Sequence, residues 1–255
     1  MRLTLHSDAQ YVNTQHPAAR FPPGLGLPRW VRRAQRTIGG VPDAPLLGLV
    51  DLPVPAYYFE LIGVAIFAIT GVLAVVRRDL DMFGALMLGM VTAVGGGTLR
   101  DLMIRAPIFW FGDFNYVWAA ALGALVAFWL AKYIRSTMRP LLYLDALGAA
   151  LFTIAAASKV LTMGYAGPIA VLMGVLTGIG GGLIRDVLAG RQTLLMSRDI
   201  YATPILLGCT IFVLLRGITE TFGYAGFVGA AVIFAVRAAA IRWGLQMPAW
   251  LTHRA

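Results

Sequence analysis

Charge is scarce in this chain. Asp, Glu, Lys and Arg together make up 13% of its 255 residues, where a soluble domain carries about 25%. That shortage excludes an ordinary water-soluble fold. Cysteine is scarcer: Cys209 stands alone, inside an apolar run. One cysteine excludes an intrachain disulfide. The three histidines, His6, His16 and His253, lie near the termini, so no metal site can be assembled from His and Cys. No HExxH, GxSxG or phosphate-loop motif occurs, and the enzyme classes that use them are not indicated. Asp101 and Asp186 invite comparison with intramembrane aspartyl proteases. Each follows an arginine, however, and the neighbouring glycines have the wrong spacing. The chain is not expected to be an enzyme or to hold a cofactor.

What the chain does have is apolar surface. Hydrophobic residues reach 59% and the mean hydropathy is +0.76. The charge balance is basic, 21 Lys and Arg against 12 Asp and Glu. No basic cluster interleaves with aromatics, so a nucleic-acid partner is not expected. Cytoplasmic loops of membrane proteins collect such charges. Residues 1–55 differ, with Arg20, Arg29, Arg32, Arg33, Arg36 and seven prolines from Pro22 onward. No apolar stretch of the signal-peptide kind follows the early charges. This region reads as a polar N-terminal extension, disordered or lying on the membrane surface.

A membrane helix needs about 20 mostly apolar residues. Seven runs qualify or come close: 57–76, 82–104, 116–130, 141–161, 166–188, 200–215 and 222–236. Their continuous apolarity does not fit the alternating pattern of a membrane barrel. The expected class is an all-α membrane protein with seven transmembrane helices. Seven spans put the termini on opposite sides. Arg77, Arg78, Lys132, Arg135, Arg139, Arg191, Arg198, Arg237 and Arg242 fall on the C-terminal side. Arg105, Lys159 and Arg216 fall on the other, with the distal arginines of the extension. The C-terminus is therefore expected in the cytoplasm and the N-terminus in the periplasm.

The chain repeats itself at an offset of 85 residues. Gly95-Gly96-Gly97-Thr98-Leu99-Arg100-Asp101 matches Gly180-Gly181-Gly182-Leu183-Ile184-Arg185-Asp186. The same offset pairs Tyr58 with Tyr143, Glu60 with Asp145, Gly63 with Gly148 and Phe67 with Phe152. It also pairs Gly89 with Gly174, Thr92 with Thr177 and Tyr116 with Tyr201. The first three-helix repeat covers 56–140 and the second covers 141–220. The seventh helix and a tail fill 221–255. Three helices is an odd number, so the second copy is expected upside down relative to the first. Inverted repeats are common in transport proteins, with a pathway at their interface.

Three glycines within a helix make a weak point, since each costs about 1 kcal/mol relative to alanine. One reading is a kink or break at Gly95–Gly97 and Gly180–Gly182 that offers carbonyls to a passing solute. The other is close helix packing through small residues. Arg100-Asp101 and Arg185-Asp186 follow one turn later. Ionisable residues at membrane depth cost about 2.5–3.5 kcal/mol each on insertion scales and are usually paired. Adjacent helical residues diverge by about 100°. The arginines are therefore expected to pair across the repeats, Arg100 with Asp186 and Arg185 with Asp101, to cap a neighbouring helix, or to snorkel outward. Glu60 and Asp145 stand near the starts of their helices, favoured by the positive helix end or drawing cations into a vestibule. Lys159 interrupts an apolar span and faces headgroups or regulates a pore.

The doubled GGGxxRD motif, with the stretch Ser197-Arg198-Asp199-Ile200-Tyr201-Ala202-Thr203-Pro204, resembles the trimeric intracellular cation channel (TRIC) family and its bacterial relatives. The resemblance spans about residues 57–240. It implies seven membrane helices, a homotrimer in the bacterial inner membrane and one ion pathway inside each protomer. It implies bending of the second and fifth spans at their glycine triplets and permeation of monovalent cations, chiefly potassium. Lys159 corresponds to a basic residue on the fourth span that binds lipid in animal members. Some bacterial relatives are linked instead to uptake of small amino acids, glycine in particular. A carrier for glycine is the alternative.

Overall fold

The computed structural model describes residues 53–75, 81–131, 133, 138–197, 199–219 and 222–246. The expectation for residues 1–55 lies almost wholly outside these. Its last three residues belong to the first helix or directly precede it. Among the described residues the helices are α1 (Val54–Val75), α2 (Met82–Met103), a single turn α3 (Phe109–Gly112), α4 (Asn115–Ala131), α5 (Met138–Thr162), α6 (Gly167–Leu188), α7 (Ala202–Thr219) and α8 (Phe222–Trp243). Six of them are long and apolar enough to cross a membrane; α4, with 17 residues, is a shorter apolar helix. At 1.5 Å per residue α4 spans about 26 Å, slightly less than a hydrocarbon core of about 30 Å.

Local chemistry sets several ends. Asp81 caps α2 by accepting from the Gly84 amide at 2.9 Å, which satisfies one of the four free amides of the first turn. Pro168 stands in the first turn of α6, where a missing N–H costs nothing. Both glycine-bearing helices end alike. The Ala106 amide bonds the Asp101 carbonyl at 2.8 Å and Arg105 bonds Leu102 at 3.3 Å; Arg191 bonds Asp186 at 2.8 Å and Gly190 bonds Val187 at 3.0 Å. This is the Schellman closure, which requires a left-handed residue. That residue is Gly190 at φ 55° in one copy and Arg105 at φ 55° in the other. Only the glycine adopts it without strain.

Packing between the halves is reciprocal. Phe152 of α5 lies over Gly63 of α1, 2.5 Å from where a β-carbon would stand, and Phe67 of α1 lies over Gly148 of α5. The two rings sit 5.4 Å apart. Positions rise on α1 as they fall on α5, so the helices are antiparallel. α2 and α6 repeat the arrangement. A β-carbon on Gly96 would lie 2.5 Å from the Thr177 carbonyl oxygen, and one on Gly181 would lie 2.8 Å from the Thr92 carbonyl oxygen. α1 and α5 are the most enclosed spans. α4 packs on α1 and α2, and α8 packs on α7 and α5. The outer faces stay apolar: Trp118, Leu122, Val126 and Trp129 form a stripe on α4, each at least half exposed. Such a surface is stable against lipid and not against water.

Of the two readings for the glycine triplets, close packing is seen and a break in the helix is not. α2 runs unbroken through Gly95–Gly97 and α6 through Gly180–Gly182. The middle glycine of each triplet lets one backbone touch the other. A side chain there would meet fixed backbone, so packing decides the composition. The seventh span also runs further than expected, to Trp243, and encloses Arg237.

Two predictions follow from these contacts. Gly95→Ala meets only the flexible tip of Ile184, so helix propensity should leave it neutral or stabilised by up to about 1 kcal/mol. Gly96→Ala and Gly181→Ala should each lose about 1–3 kcal/mol through overpacking. Thermal unfolding of the detergent-solubilised protein checks the order. Separately, Arg105→Gly should raise stability by about 1 kcal/mol by relieving the left-handed arginine, measured in the same assay.

Candidate functional site: two buried charge quartets

The 85-residue offset brings the charged residues into two clusters. In the first, the Arg100 guanidinium donates through Nη1 to Glu60 Oε1 and through Nε to Asp101 Oδ1, both at 2.8 Å. Lys159 Nζ donates to Asp101 Oδ1 at 2.9 Å. The Phe109 amide donates to Asp101 Oδ2 at 2.9 Å, and the Tyr116 hydroxyl donates to Glu60 Oε2 at 3.1 Å. In the second, Arg185 donates to Asp145 Oδ1 at 2.8 Å and to Asp186 Oδ1 at 2.9 Å. The Leu194 amide donates to Asp186 Oδ2 at 3.1 Å. Arg237 Nη2 donates to Asp145 Oδ2 at 3.0 Å.

Each cluster holds two carboxylates and two cations, so each is formally neutral. All eight residues are buried; the most exposed, Lys159, is 4% exposed. The fourth member breaks the symmetry. In the first cluster it is Lys159, on α5, reaching into the other repeat. In the second it is Arg237, on α8. Arg237 takes the carboxylate oxygen that a tyrosine takes in the first cluster. Tyr201, the counterpart of Tyr116, instead lies under the guanidinium, 4.2 Å from ring centre to Cζ. Its hydroxyl has no protein partner among the described residues.

Along the helices the two clusters are close enough together for both to fit within the thickness of a bilayer core. Thr70 accepts from Arg185 Nη1 at 3.1 Å, so α1 touches the first cluster at Glu60 and the second at Thr70. Ten residues at 1.5 Å each separate them by about 15 Å. On α5, Asp145 and Lys159 are about 21 Å apart by the same rise. Both separations fit within a hydrocarbon core of about 30 Å. The two quartets stand on opposite sides of the glycine crossing.

Several expectations are corrected here. The arginines do not pair across the repeats: Arg100 meets Glu60 and its own neighbour Asp101, and Arg185 meets Asp145 and Asp186. Adjacent side chains leave the helix in different directions, but the arginine stem is long enough to curl back. Neither arginine snorkels, since burial and four-way neutralisation leave no reason to reach the interface. Glu60 and Asp145 do not line an open vestibule; both are 0% exposed. Lys159 does not face headgroups, because Asp101 holds it inward. Arg237 is not a loop charge.

Three comparisons bear on this arrangement. A family model described as glycine transporter matches residues 57–132 and 142–217, two blocks that stand 85 residues apart at both ends. The chain is 40% identical over 199 residues to the inner membrane protein YadS of Escherichia coli strain K12, a UPF0126 protein, covering 75% of this chain and 94% of that one. A solved structure of a TRIC trimeric intracellular cation channel orthologue from Rhodobacter sphaeroides matches with a TM-score of 0.73 and 39% identity, over 76% of this chain and all of the other. The chain belongs to the TRIC channel family. Another structure in the family, a prokaryotic TRIC channel, matches at a TM-score of 0.70 and 26% identity, over 75% of this chain and 98% of the other. The family comprises membrane and channel proteins, and this member is not an enzyme.

The quartets make a ranked prediction. Arg185→Met strands two buried carboxylates and should cost about 3–5 kcal/mol. Arg237→Met should cost less, because Tyr201 is free to take Asp145 Oδ2 as Tyr116 takes Glu60. Adding Tyr201→Phe to Arg237→Met should remove that rescue, giving a double-mutant cycle with clear non-additivity.

Proposed function

We propose that this TRIC family member is a cation channel of the bacterial inner membrane. It acts as a homotrimer, with one path for monovalent cations, chiefly potassium, inside each protomer between two inverted repeats. The kinship with solved TRIC channels supports the cation-channel reading. The observation that carries the placement of the path is the pair of buried, neutral quartets on either side of the glycine crossing. Side chains this costly to bury in lipid are retained where they serve solutes or gating.

In this conformation the crossing is tightly packed and acts as the closed constriction. Opening requires α2 to slide or bend against α6 at the glycines, a small shear of packed helices. Helix carbonyls near the triplets then replace part of the ion's water. The Lys159–Asp101 pair joins the two repeats and must loosen when they move, which gives Lys159 a gating role. Lipids contact the apolar outer faces. The N-terminus is periplasmic and the C-terminus cytoplasmic on the loop charges that remain once Arg237 is removed from the balance. Of these, Arg77, Arg78, Lys132, Arg135 and Arg198 lie outside the described residues.

The rival is a glycine carrier, favoured by the description attached to the matching family model. Planar-bilayer recording separates the two. A channel gives unitary current steps whose reversal potential follows the potassium gradient, and Gly96→Leu abolishes them. A carrier gives saturable glycine counterflow without unitary steps.

A further inference from the structure

The loop after α2 turns back along the helix it leaves and lies on the glycine triplet. Asp101 Oδ2 holds the Phe109 amide at 2.9 Å, which sets the loop against α2. A β-carbon on Gly97 would stand 2.6 Å from the Phe109 ring. The next residue adds a polar tie: Trp110 Nε1 donates to Thr98 Oγ1 at 3.0 Å. The Thr98 hydroxyl donates its proton to the Val94 carbonyl at 2.8 Å, so its oxygen is free to accept. Phe109 is 7% exposed, and its ring meets Tyr116 of α4 edge to face, with centres 4.8 Å apart. Gly97 and Thr98 are therefore braced by two aromatic side chains of the following loop.

The second repeat keeps the backbone anchor and lacks the brace. Leu194 stands at the place of Phe109, and its amide donates to Asp186 Oδ2 at 3.1 Å, eight residues on as in the first copy. Gly182 is the counterpart of Gly97. The three atoms nearest a β-carbon there are Asp145 Oδ1, the Tyr201 hydroxyl oxygen and Arg185 Nη2, at 2.9, 3.0 and 3.5 Å; none belongs to Leu194. Thr98 and Trp110 become Leu183 and Leu195, whose side chains form no hydrogen bond. The difference lies in residue identity, so no change of conformation gives α6 the same tie.

We propose that the Phe109–Trp110 segment is a strap that locks α2 straight at its glycine triplet, and that its release precedes any bending of α2. Successive glycines make this part of the helix weak. A bend there needs room beside Gly97 and a shift of Thr98. The Phe109 ring occupies the room, and the Trp110 indole holds the threonine. α6 carries the same glycines without this lock, so the two crossing helices are restrained unequally. The gating consequence rests on the channel reading, which takes movement at the crossing as opening; the brace itself does not.

Hydrogen–deuterium exchange of the full chain in lipid nanodiscs tests the brace, with residues 95–98 of α2 and 180–183 of α6 read in the same sample. Trp110→Phe keeps an apolar ring and deletes the donor to Thr98. Phe109→Leu copies the second repeat. Each should speed exchange at 95–98 about fivefold, the worth of one neutral hydrogen bond or ring contact, and leave 180–183 unchanged. Planar-bilayer recording then reads the gate: Phe109→Leu should raise the open probability several-fold at an unchanged unitary step. The proposal is overturned if 95–98 exchanges at the wild-type rate in both variants. It is overturned equally if both triplets speed up together, which marks general loosening, or if exchange at 95–98 rises while the open probability stays at the wild-type value. If neither wild type nor variant gives unitary steps, the channel reading fails, and the exchange result alone decides the strap.

Discussion

Burying an arginine in lipid without a partner is one of the least favourable things a helix can do, and two arginines at membrane depth organise this protein. Each is held by two carboxylates, one from its own helix and one from the first helix of its repeat. That demand brings α1 to α2 and α5 to α6. It also pins the loop after each glycine helix, because Asp101 and Asp186 each spend a second oxygen on a backbone amide eight residues on. Two carboxylates around one guanidinium leave a negative charge over. A second cation must arrive, and the two repeats find it in different places. Lys159 comes from the opposite repeat and Arg237 from the helix outside both. The fold is thus symmetric where neutralisation is local and asymmetric where it is completed.

The glycine triplets answer a different constraint. With no water to drive helices together, close association in lipid depends on backbone contact. Gly96 and Gly181 supply it at one point, where Thr177 and Thr92 carbonyls lie against the opposing helix. The same residues are poor helix formers. A crossing held by shape and by weak helix is strong against lateral separation and soft against bending. That combination suits the closed constriction proposed for this crossing.

Much of this was readable in the sequence. Continuous apolar runs located the first five spans to within about three residues, because lipid thickness dictates their length, while the last two run on for a turn or two beyond the expected ends. The repeat offset anticipated which residues would occupy matching places, including the Glu60 and Asp145 pair. The partners of the arginines were not readable. A helix-face rule treats Arg100 and Asp101 as divergent, and only side-chain length shows that they meet. The role of Arg237 was missed because a charge near the end of an apolar run looks like a loop. The signal was present: Ala238, Ala239, Ala240 and Ile241 continue the run beyond it. Thr70 and the two tyrosine hydroxyls carry no sequence mark of burial. The choice between a broken and a packed glycine helix depends on what stands opposite, which no single segment records.

Charge balance within each quartet is the claim on which the rest stands, and the Lys159–Asp101 pair exposes it most directly. Lys159→Met leaves the first quartet at one negative charge. Asp101→Asn leaves it at one positive charge while keeping an oxygen for the Phe109 amide. The double variant is neutral again. Unfolding of the three variants in one detergent should find the double variant more stable than either single one. Additive losses, with the double variant the least stable, would contradict the account.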